Sequence, residues 1–132
     1  MASLDLTLVF GLACVYAPFV IMVNCAGAVW AAKAGWHYLW WMPVSFLAYL
    51  AAGYGGTSVA SLVEIALAGG LASLPDTVVS SWYALKVGAM TGFESIEEYV
   101  GTVVISLPIA VLVDAALYLG GAFFGVRLLG PL

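Results

Sequence analysis

The chain has 132 residues, of which 65% are hydrophobic and 8% charged, whereas an ordinary soluble domain is about 25% charged and about 45–50% apolar. Too few polar side chains remain to clothe a surface that faces water, so lipid is the expected outer solvent. The net charge of −4, with only Lys33, Lys86 and Arg127 basic, excludes an electrostatic footprint for nucleic acid and a polybasic patch for anionic lipid.

A crossing takes about 20 apolar residues and turns in bundles about 2 to 8. Three or four crossings therefore fit and a second domain does not. The expectation is a single all-α integral membrane domain over residues 1–132, a small bundle of four helices, three or four of them transmembrane. The first helix is expected over about 4–32. No basic segment precedes it and Asp5 stands ahead of an apolar run too long for a signal peptide, so it reads as a retained helix. Pro18 should bend it. Cys14 and Cys25 have neither a metal spacing nor a redox spacing and read as inert thiols. Lys33, Gly35, Trp36 and His37 then turn the chain, and Trp36, Tyr38, Trp40 and Trp41 cluster as amphipathic rings do at a membrane interface.

The second helix is expected over about 41–69, with Pro43 in its permissive first turn and Gly69 and Gly70 ending it. Gly53, Gly55 and Gly56 fall in its middle as a candidate hinge. The run is either one bent helix or two half-helices meeting at a glycine break, and the single bent helix is the expectation. The third helix, over about 74–91, is announced by Ser73, Pro75 and Asp76 as a capping-box-like start and should end at Gly92. Ser80, Ala84, Gly88 and Gly92 give it a continuous face of small side chains, which favours a packed crossing over a helix lying in the interface. The fourth helix, over about 96–120, is announced by Ser95 and Glu98, with Glu97 beside them, and continues past Pro108.

A charged side chain at the centre of a bilayer costs at least about 2.5–3.5 kcal/mol, and such groups face a bundle interior or a watery cavity. Glu64, Lys86 and Asp114 are the candidates. Glu64 shares a stripe with Thr57, Ala60, Ser61 and Ala68. Asp114 shares one with Ser106, Ala110 and Gly121, and Asn24 one with Ala13, Ala17, Gly27, Ala28 and Ala31. If the third helix crosses, Glu64 and Asp114 come to a common depth as a paired-carboxylate site. The plainer reading of the two acids is a pair of neutral groups, each hydrogen-bonding across a helix interface. Lys86 projects opposite the small face of its helix, beside Trp82 and Tyr83, and snorkelling toward an interface is its plainer reading. His37 has no metal-ligand partner in sequence, the serines lack a nucleophile framework, and no phosphate-cradling loop occurs, so no cofactor, metal or enzymatic chemistry is expected.

Two functions fit this pattern. In the first, the chain is a structural or accessory subunit of a larger oligomeric membrane complex, its partners being lipids and other membrane-protein subunits, homo- or hetero-oligomeric. In the second, it is a small homo-oligomeric ion or proton channel or transporter that uses the intramembrane acids.

Overall fold

The long apolar stretch from 41 to 91 divides at a point set by local hydrogen bonding. Ser61 accepts from the Glu64 backbone N–H while the Glu64 carboxylate takes the Ser61 backbone N–H, a reciprocal capping box that starts a new helix. Upstream, the Thr57 hydroxyl donates to the carbonyl of Tyr54 and closes the preceding helix. A computed structural model describes residues 4–89 and 95–129, with the side chains of 96, 100, 128 and 129 outside the description. Its elements are α1 (Leu6–Ala34), a 3-10 turn (Tyr38–Trp41), α2 (Met42–Gly56), α3 (Leu62–Lys86) and α4 (Ile96–Leu129).

Among the described residues four helices form, as expected, but both ends of the third helix and the ends of the second and fourth are corrected. The helix expected over 41–69 is α2 plus the first part of α3, and the helix expected over 74–91 is the second part of α3. Gly69 and Gly70 lie buried inside α3 and end nothing. Ser73, Pro75 and Asp76 start no helix either, because Ser73 and Asp76 spend their side chains on α4 and α1 instead of on backbone N–H groups. Gly53, Gly55 and Gly56 are helical within α2, and the break follows them at 57–61. At the far end, Val87 and Gly88, with Gly88 at φ 82°, terminate α3. The helix therefore ends several residues before the expected terminus at Gly92, which itself lies outside the described residues. The fourth helix starts where expected, with Ser95 capping Glu98, and runs on to Leu129.

Among the described residues three helices are long and apolar enough to cross a membrane: Leu6–Ala34, Leu62–Lys86 and Glu97–Arg127. The remaining helix, α2, has 15 residues and spans about 22 Å at 1.5 Å per residue.

Contacts order the helices α1–α3–α4–α2, with lighter contact between α1 and α2. α1 and α3 run parallel, joined at one end by the Asp5 N–H donating to Glu64 at 3.0 Å and at the other by Ala28 and Ala31 packed with Ala84. α3 and α4 run antiparallel, with Gly69 against Tyr118, Ser73 against Asp114, and the Tyr99 hydroxyl donating to the carbonyl of Val78 at 2.8 Å. α2 and α4 meet backbone to backbone, since a Cβ on Gly53 would overlap the Tyr118 backbone and one on Gly121 the Leu50 backbone. Only glycine allows that approach. The core cluster centres on Val9, Tyr16, Val20, Tyr49, Ile65 and Tyr118. Three tyrosines stack through it, Tyr16 on Tyr118 at 4.9 Å and Tyr118 on Tyr49 at 5.4 Å between ring centroids. The tryptophans gather at the turn after α1, with Trp30 5.6 Å from both Trp36 and Trp41 and Trp36 5.9 Å from Trp40.

Candidate functional site

Halfway along the bundle, α1, α2 and α3 each turn a polar side chain inward, and the three meet. Asp76 is 2% exposed and about 15 Å from the C-terminal end of α3 by helical rise. Its Oδ1 accepts from the Asn24 amide at 2.9 Å and from the Ser80 hydroxyl at 2.7 Å. Its Oδ2 accepts from the Tyr49 hydroxyl at 2.5 Å and from the same Asn24 amide at 3.1 Å. Four contacts fill the four lone-pair positions of a carboxylate. Every donor is neutral, and no base reaches Asp76 among the described residues.

Asn24 is the hub of this network. Its amide nitrogen also lies 3.3 Å from the Tyr49 oxygen, its amide oxygen accepts from Ser45, and its backbone carbonyl accepts from the Tyr38 hydroxyl at 3.1 Å. Burial first, and then the Asp76 charge and lesser neighbours, raise the Tyr38 hydroxyl above its ordinary range, which keeps it a proton donor.

Asp114 approaches from α4. It is 7% exposed, and its Oδ2 accepts from Ser73 at 2.5 Å. Its other carboxyl oxygen has no partner among the described residues. Asp76 and Asp114 both line a cavity of about 190 Å3, whose walls also carry Asn24, Ser45 and Tyr49 with the apolar bodies of Trp41 and Phe46.

The sequence candidates separate as follows. Asn24 and Asp114 line this cavity. Glu64 does not pair with Asp114. The break at 57–61 puts Glu64 in the first turn of α3, where it binds the backbone of Ser61 and Asp5. Asp114 lies instead beside Ser73, nine residues further along the same helix, or about 14 Å. Lys86 is exposed in the last turn of α3, its ammonium 5.5 Å from the Trp82 ring centroid, where it complements the helix dipole. Gly53 and Gly56 serve close packing, Gly56 against Tyr16 and Ile65, while Gly55 faces open space. Cys14 and Cys25 are free thiols.

Sequence reasoning missed Asp76, the central acid, by assigning it to a helix start. The signal was present, since Ser73, Asp76, Ser80 and Ala84 form one stripe when a helix is continued back through Pro75. No protein-family model matches the sequence, and no curated protein or solved structure matches it. Among the described residues the fold and site define an all-helical bundle with three helices long enough to cross a membrane and an open cavity lined by two acids.

Proposed function

We propose that the chain is a multi-pass membrane protein that takes up a small cation or proton in the Asp76–Asp114 cavity, acting as a compact channel or transporter. One observation carries the reading: two buried carboxyl groups from different helices line one cavity with no basic partner among the described residues. Buried acids without an ion pair are costly in a low-dielectric core and are characteristic of ion and proton pathways. Asp76 holds the cavity wall together, since its oxygens are filled by Asn24, Tyr49 and Ser80. Asp114 supplies the free oxygen. The test is flux in liposomes: Asp114→Asn and Asp76→Asn should each abolish uptake of protons or monovalent cations while the purified variants stay helical and monodisperse. Normal flux in both variants refutes the mechanism.

The accessory-subunit reading draws on a different observation. α4 leaves Val104, Ile105, Ile109 and Leu112 exposed, and α1 leaves Phe10, Val15 and Met22 exposed, so broad apolar faces await lipid or neighbouring subunits. Native mass spectrometry from the source membrane separates the two readings. A heteromeric mass supports the subunit, and the chain alone or a homo-oligomer supports the channel.

A further inference from the structure

The donors and acceptors around the cavity also bear on what kind of cation it takes. A metal ion stripped of water needs several oxygens, about six to eight for calcium and near-octahedral six for magnesium. Apart from its two carboxyl groups the polar lining of this cavity is hydroxyls and one amide, from Tyr38, Ser45, Tyr49, Thr77, Ser80, Ser81 and Asn24, most of them engaged with one another. Asp76 has its lone pairs committed to Asn24, Tyr49 and Ser80. Asn24 has its amide oxygen committed to Ser45. Among the described residues no group of three or more His, Cys, Asp and Glu side chains is placed to hold a metal ion. Of the four carboxyl oxygens at the cavity, one on Asp114, a residue 93% buried, has no partner among the described residues, and no basic side chain lines the space.

That arrangement suits an N–H donor carrying a positive charge on an apolar body. Aromatic side chains supply the walls, with Tyr38, Trp41, Phe46 and Tyr49 all lining the same space, and aromatic faces attract organic ammonium groups. Volume sets the scale. An apolar cavity of about 150 Å3 holds a benzene molecule, so about 190 Å3 accommodates a ring of that size with a short aminomethyl arm.

We infer that the ligand of this cavity is a small organic ammonium ion with one hydrocarbon ring or an equivalent aliphatic body, its N–H donating to Asp114 in the cavity that Asp76 also lines. The inference rests on the cation-site reading above and narrows it. The experiment measures saturable binding of radiolabelled benzylammonium to the full chain in lipid nanodiscs, with unlabelled benzylammonium, benzyl alcohol, sodium and potassium as competitors. Benzylammonium should compete with itself, benzyl alcohol at least tenfold more weakly, and the two metal ions not at all at equal ionic strength. Asp114→Asn should weaken binding at least tenfold. Equal competition by benzyl alcohol means mere partitioning and overturns the inference, as does displacement by sodium or potassium or an absence of saturable binding. Because the amine-against-alcohol comparison uses the wild-type chain, it decides the matter even if Asp114→Asn does not fold. Loss of proton or sodium flux in Asp114→Asn without amine binding removes this inference and leaves the cation site standing. Unchanged flux with no amine binding removes both.

Discussion

Replacing Gly121 by alanine perturbs a backbone-to-backbone helix contact in a way whose size can be worked out. A Cβ there would lie 2.7 Å from the carbonyl carbon of Leu50 and 2.8 Å from its Cα, and nearer still to the carbonyl oxygen. Carbon pairs settle at about 3.5–4.0 Å, so α2 and α4 must part by about 0.8 Å or more. The obstacle is backbone and cannot rotate away. Overpacking of this kind costs about 1–3 kcal/mol, against a gain of about 1 kcal/mol from replacing glycine in a helix. Gly101 is on the same helix with nothing within 4 Å of its added Cβ, so Gly101→Ala carries the gain alone. Subtracting one variant from the other cancels propensity and isolates the clash at about 1–3 kcal/mol, or about 5- to 140-fold in the folded-to-unfolded ratio. Reversible unfolding in mixed micelles of mild detergent and dodecyl sulfate, followed by circular dichroism, reads both. Equal stabilisation of Gly121→Ala and Gly101→Ala would show that α2 and α4 do not touch at this crossing.

Other residues give independent checks. Ser61→Ala removes one half of the capping box at the start of α3 and should cost about 1 kcal/mol in the same unfolding assay; no loss would place the helix break elsewhere. Asn24→Ala takes away the donor that Asp76 receives from α1 and should cost about 1–2 kcal/mol, near the upper end for hydrogen bonds between helices in a membrane. A neutral result would mean that Asn24 and Asp76 do not meet. With Cys14 and Cys25 replaced by alanine, single cysteines at His37 and Ser58 should react with an impermeant maleimide from opposite sides of sealed vesicles, because α2 separates the two turns. Labelling of both from one side would refute the path drawn for α2.

How far the sequence reveals this molecule depends on whether a signal is satisfied locally. Ser95 and Glu98 mark the start of α4 correctly because the cap is made by groups three residues apart. Ser73 and Asp76 show the same spacing and mark nothing, because α4 offers Asp114 to the one and α1 offers Asn24 to the other. Ser61 and Glu64 carry the pattern a third time and do cap a helix, at a position where the glycines upstream drew attention to a bend instead. Asn24 and Asp114 were legible as site candidates because a polar group on a small-residue stripe of an apolar helix has few places to point. Glu64 fits the same description but does not reach the cavity or Asp114, since the start of its helix was misplaced and its depth with it.

Composition and hydropathy alone determined that the chain is helical and that its helices include ones long and apolar enough to cross a membrane, because backbone groups in an apolar segment must be satisfied within the segment itself. Which apolar residues belong to one helix, and which acids share a cavity, was decided only by tertiary contacts. The reason is that a serine or aspartate can satisfy either its own backbone or a neighbouring helix. The choice depends on what the neighbour presents, as Asn24, Tyr49 and Ser80 present three donors to Asp76.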